Sequence, residues 1–79
     1  MEKIEESLGR AIRARRERLG VSQERFAAQA GVHRTYMSAI ERGKVGISVG
    51  IAAQVAEALG VSLSVLFRDV EKLQASDAR

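Results

Sequence analysis

Apolar residues recur along this chain at helical spacing, and three short breaks of one kind divide the pattern. Gly20-Val21-Ser22, Gly31-Val32-His33 and Gly60-Val61-Ser62 each set a glycine, a valine and a polar residue in the same order. A glycine ending a helix enters the left-handed region without a Cβ clash, and a serine two residues on can cap the next helix. The valine between them can staple onto a residue one turn into that helix. The partners fall at matching spacing: Val21 with Phe26, Val32 with Met37, Val61 with Leu66. Three tight helix–helix junctions follow.

The pattern predicts five helices. The first runs from about Ile4 or Ser7 to Leu19, with Ile4, Leu8, Ala11, Ile12 and Leu19 on one apolar stripe. The second, Gln23 to Ala30, turns Phe26, Ala27 and Ala30 inward; the third, Arg34 to Arg42, has only Met37 and Ile40 to bury. The fourth begins near a Ser48 cap and reaches Leu59, with Ile51, Val55, Ala58 and Leu59 inward. The fifth spans Leu63 to about Leu73 and carries Leu63, Leu66, Phe67, Val70 and Leu73. Gln74 to Arg79 reads as a polar, frayed tail. The expected fold is a compact all-α bundle of five helices, one domain over residues 1–79, ordered over about 4–73.

Composition sharpens this. The 79 residues contain no proline and no cysteine, so helices are uninterrupted, and neither disulfides nor thiolate metal sites are available. The opening Met1-Glu2-Lys3-Ile4-Glu5-Glu6 is charged and the apolar runs are short, so neither a signal peptide nor a membrane span is expected; a reducing cytoplasm fits. The charge is lopsided. From Arg10 to Lys44 nine Arg or Lys face Glu17, Glu24 and Glu41, a balance of +6, whereas from Val45 onward the balance is −1. A basic first half suits a polyanion, and a near-neutral second half suits packing.

The third helix concentrates the candidate chemistry. It is short, poor in apolar surface, and crowds Arg34, Thr35, Ser38 and Ala39 on its outward side. A three-residue break joins it to the second helix, too short for anything but a sharp angle. That is helix-turn-helix geometry, whose second helix enters the major groove of double-stranded DNA. Arg34 at its start can fork onto a guanine and Thr35 can offer a hydroxyl or a methyl. A cation there opposes the helix dipole, an arrangement easier to understand if DNA compensates it. Ala39 either touches a thymine methyl or simply fills the helix.

The motifs then resemble a known family. Ser22-Gln23-Glu24-Arg25-Phe26-Ala27 is similar to the "SQEELA" opening of the second helix in Cro/repressor-like (XRE-type) domains. Ile40-Glu41-Arg42-Gly43 resembles their "IERG", and Leu59 to Phe67 resembles their closing "LGVSLxxLF". Arg34-Thr35-Tyr36-Met37-Ser38 is similar to the "DRTYxS" of restriction–modification controller proteins, which are small homodimeric autoregulators. The chain departs from the pattern at His33, where Asp or Ser is usual, at Arg25 in place of a capping-box Glu, and at Ile47-Ser48 in place of Pro-Ser, flanked by Gly46 and Gly50.

The resemblance implies site residues beyond the third helix. Gln23 and the start of the second helix would grip a phosphate, where otherwise it is an ordinary exposed glutamine. Tyr36 would touch phosphate or DNA near the dyad, or pack on the bundle. Arg42 and Lys44 would meet phosphates, or merely complement the helix C-terminus. Arg16 would pair with Glu41, tying the first helix to the end of the third. The remaining arginines of the first helix wind around it and are expected in solvent. His33 has no companion ligand for a metal and reads as a flanking or capping residue.

Helix five carries more apolar surface than closing the bundle requires, and Val45, Ile47 and Val49 add a stretch before helix four. A two-fold homodimer is expected there, with Ile47, Val49, Leu63, Val65 and Val70 between the copies and Leu66 and Phe67 in the core. The inventory for catalysis is lacking, with one histidine, no cysteine and no Gly-rich phosphate loop, and no cofactor, metal or small-molecule ligand is implied. Two functions remain: a sequence-specific transcription regulator on a palindromic operator, or an antitoxin-like protein-interaction module on the same scaffold.

Overall fold

A computed structural model describes residues 2–77. Helices form at α1 (Ile4–Arg18), α2 (Gln23–Ala30), α3 (Arg34–Glu41), α4 (Val49–Leu59) and α5 (Leu63–Asp77), with no strand among the described residues. The junctions work through caps. Gly31 ends α2 at φ 74°, which an L side chain would resist, and the Val32 N–H then reaches back to the Ala27 carbonyl at 3.0 Å. Ser22, Ser48 and Ser62 accept from the N–H groups of Arg25, Ile51 and Val65 at 3.1, 3.1 and 3.2 Å. His33 does the same for α3 with Nδ1, which accepts from the Thr35 N–H at 3.1 Å.

The core gathers Leu8 and Ile12 of α1, Phe26 of α2, Met37 and Ile40 of α3, Val55 and Leu59 of α4, and Leu66 of α5. α1 lies against both α3 and α5, so the N-terminal helix is the spine on which the helix-turn-helix unit and the closing helix are set.

Four expectations need correcting. Ile4 and Leu19 are exposed, because one opens α1 beside a surface groove and the other caps its far end outside the last turn. Val70, expected between two copies, is 1 % exposed: it lies one turn beyond Leu66 on the face that α5 turns to the core. Phe67 is only half-buried and lines the surface groove. Finally, α5 continues to Asp77. The Gln74 amide donates to the Glu2 carbonyl at 2.8 Å and to the buried Ser7 Oγ at 2.9 Å, which gives the supposed tail a reason to stay helical; residues 78 and 79 lie outside the described residues.

Candidate nucleic-acid interface

α3 is held by its inner face and presents its outer one. Met37, Ile40 and Glu41 are buried, whereas Arg34 and Thr35 are exposed and Ser38 and Ala39 half-buried. Arg34, Thr35 and Ser38 border one shallow cleft with Gln23 of α2, so the start of α2 and the outward face of α3 form a single surface. Tyr36 is half-buried and packs against the core. Arg42 is exposed and returns its Nε to the Ser38 carbonyl at 3.3 Å, an interaction with the last turn of α3; Lys44 is exposed just beyond. His33 is exposed at the other end, with one ring nitrogen committed to its cap.

Two features fix the pose of α3 on α1. The first is Gly9: a Cβ there would lie 2.5 Å from the Ile40 oxygen and 2.6 Å from the Glu41 oxygen, so only glycine lets the backbones meet. The second is a buried ion pair. Arg16 donates from Nε to Glu41 Oε2 at 2.8 Å and from Nη2 to Oε1 at 3.0 Å, while its Nη1 donates to the Val21 carbonyl at 2.9 Å. The hydrogen bonds to Glu41 hold the Arg16 guanidinium above its ordinary pKa, against a smaller opposing effect of burial. Glu41 Oε1 also accepts from Gln23 Nε2 at 3.0 Å. α1, the following loop, α2 and α3 thus converge on one ion pair.

Sequence reasoning missed that last bond, so Gln23 is not the free side chain expected of an exposed first-turn residue. It also missed the pairing of Arg34 with Glu24 across the turn, at 3.8 Å. A third omission is the Arg15–Asp69 ion pair, in which Arg15 pulls the Asp69 carboxyl below its ordinary pKa and pins α5 to α1. No local pattern signals pairs so far apart in sequence. Among the described residues no cluster of three His, Cys, Asp or Glu could hold a metal, and no single helix is long and apolar enough to cross a membrane.

A short polar helix presented by a glycine-hinged turn from a well-packed partner defines a DNA-binding helix-turn-helix protein of the transcription-regulator class. Residues 12–66 match the helix-turn-helix family HTH_3, and the chain belongs to that family. It is 47% identical over 58 residues to the control protein C.MunI of a Mycoplasma species, spanning 73% of this chain and 78% of that one. The fold matches the clp gene regulator ClgR of Corynebacterium glutamicum with a TM-score of 0.93 at 31% identity, over 98% of this chain and 82% of that one. It matches the restriction-modification controller protein C.AhdI of Aeromonas hydrophila with a TM-score of 0.76 at 31% identity, over 78% of this chain and 94% of that one. The resemblance drawn from Ser22–Ala27, Ile40–Gly43 and Leu59–Phe67 therefore holds, as does the likeness to controller proteins drawn from Arg34–Ser38.

Proposed function

We propose that this chain is a homodimeric, sequence-specific DNA-binding regulator that acts in the cytoplasm on a (pseudo)palindromic operator. We further propose that it serves as an autoregulatory controller of a restriction–modification system. The observation that carries the reading is the outward face of α3, with Arg34 and Thr35 exposed and Ser38 and Ala39 beside them. These four read base edges in the major groove, Arg34 by a fork onto guanine. Gln23, His33, Tyr36, Arg42 and Lys44 ring that face and set the register on phosphates. The similarity to C.MunI and C.AhdI supports the controller assignment.

The dimer rests on a separate feature. A groove of about 270 Å³ runs between the start of α1, the loop before α4 and the start of α5, lined by Ile4, Leu8, Ile47, Val49, Leu63 and Phe67. Val49 stands 78 % exposed at its edge. Ile47, Val49, Leu63 and Val65 are the residues assigned to the contact between copies. A two-fold pair presents two α3 helices to half-sites about 34 Å apart.

The test compares a duplex selected by the protein from a randomised pool with a scrambled duplex, at several salt concentrations. Arg34→Ala is expected to weaken the selected duplex by about 1–3 kcal/mol and the scrambled one far less. Gln23→Ala is expected to weaken both alike, because phosphates carry no sequence, with a thermal melt to separate a lost phosphate contact from the lost hydrogen bond to Glu41. If no duplex is enriched and retention on DNA is insensitive to salt, the interaction-module reading replaces this one.

A further inference from the structure

Of the three acidic residues between Arg10 and Lys44, Glu41 is buried on Arg16, and Glu17 pairs with Arg13 on the exposed side of α1 at 3.2 Å, within its own helix. Glu24 is different. It stands in the first turn of α2, its side chain 76 % exposed, on the DNA-facing unit where a negative charge opposes binding to any phosphate. Its Oε2 lies 3.8 Å from Nη1 of Arg34, itself 65 % exposed, so the pair bridges the first turns of α2 and α3.

The placement makes electrostatic sense from both ends. A carboxylate in the first turn of α2 is favoured by that helix's dipole, whereas the guanidinium in the first turn of α3 is disfavoured by its own. Glu24 supplies the missing anion. At 3.8 Å the contact is electrostatic, outside hydrogen-bond reach, so it draws Nη1 towards α2 without consuming an N–H. The Nε–Nη2 edge stays free for the two parallel bonds that a guanine accepts.

We infer that Glu24 is a specificity-determining positioning residue, which steadies Arg34 for base reading and at the same time weakens binding to DNA of any other sequence. This rests on the reading of Arg34 as the base-reading side chain. On scrambled DNA the carboxylate only repels phosphates and neutralises Arg34. On the cognate site the repulsion is offset, because the carboxylate's attraction biases the guanidinium's orientation towards α2 and leaves its other edge to the base.

The experiment uses the full chain and the variant Glu24→Gln, which keeps length and helix propensity while removing the charge. Affinities are measured for the selected and the scrambled duplex, alone and in an Arg34→Ala background, with thermal melts checking the fold. Glu24→Gln is expected to bind scrambled DNA about two- to threefold tighter, with a salt slope steeper by up to about one unit, and the selected duplex no tighter or about twofold weaker. In the Arg34→Ala background it should shift both duplexes by one common factor. Equal tightening on both duplexes in the wild-type background would make Glu24 a mere repulsive charge and overturn the inference, as would no change on either. Should Arg34→Ala alone leave the selected-to-scrambled ratio intact, base reading by Arg34 falls and the inference with it. If that ratio collapses in Arg34→Ala yet survives Glu24→Gln, only the inference fails.

Discussion

Glu41→Ala is expected to bring this domain close to unfolding. The carboxylate accepts three hydrogen bonds, two from Arg16 and one from Gln23, between 2.8 and 3.0 Å. Its side chain is 2 % exposed and that of Arg16 is 11 % exposed, so both charges are largely withdrawn from water. A guanidinium cannot shed its proton, so truncating the acid leaves a buried cation facing a cavity. Stranding one member of such a pair costs about 3–5 kcal/mol. A chain of this length has roughly 4–12 kcal/mol in total. At about 4–8 °C per kcal/mol, the melting temperature should fall by at least about 12 °C. Replacing both partners, as in Arg16→Met with Glu41→Leu, should recover most of the loss, since apolar residues of similar volume do not leave a stranded charge. Far-UV circular dichroism in urea and on heating measures both. A loss below about 1 kcal/mol for Glu41→Ala would mean that the pair behaves as a solvated surface bridge, and the argument from burial would fall.

Further outcomes follow from other contacts. Gly9→Ala should lose about 1–3 kcal/mol in urea titrations although alanine is the better helix former, because its Cβ would press on the Ile40 and Glu41 carbonyls; a stabilised variant would show that α1 and α3 separate freely. Asp69→Asn should cost about 1 kcal/mol near neutral pH, since the pair is partly solvated. Because Arg15 lowers the Asp69 pKa in the folded state, this stabilisation is present above the ordinary carboxylate value of 3.8 and lost as pH falls through the lower folded value, so wild type and variant should converge in acid melts. Val49→Lys should shift the chain towards monomer in sedimentation at tens of micromolar, with a melting temperature lower only by the lost dimer linkage, and a wild type that is monomeric there would remove the dimer from the proposal.

What the chain discloses in advance is what it encodes locally. Each Gly-Val-Ser or Gly-Val-His break is a complete instruction, a left-handed stop, a staple and a cap, and the five helices are bounded to within a residue or two except at the C-terminal end of α5, the start of α1 being left between Ile4 and Ser7. The end of α5 escaped because its stabilising contacts are remote: nothing near Gln74 announces that its amide will meet Glu2 and Ser7 more than sixty residues away. Val70 lies in the core and not between copies for a related reason. Periodicity marked a broad apolar face on α5, but which part of it covers the core depends on how α1 lies across it, and that is a tertiary fact. The outward side of α3 was legible because a helix with two apolar residues can bury only one face. The ion pairs around it were legible only where a family motif supplied them, as for Arg16 and Glu41.

The recognition geometry and the stability of this domain rest on the same atoms. Arg16 joins α1 to the Val21 carbonyl and, through Glu41, to the last turn of α3; the same carboxylate holds Gln23 at the mouth of α2. The angle between α2 and α3, on which the proposed placing of Arg34 in a groove and Gln23 on a phosphate depends, is therefore set from inside the protein. A substitution at Glu41 would disturb the fold and, under the proposed reading, the DNA-facing surface at once, so an affinity loss there says nothing about contact with DNA. Glu24 and Arg34 lie outside that network, with side chains mostly in solvent and no buried partner. Their proposed effects on DNA choice can be measured without the fold moving underneath them, so the exposed pair, and not the buried one, is the place to test recognition independently of stability.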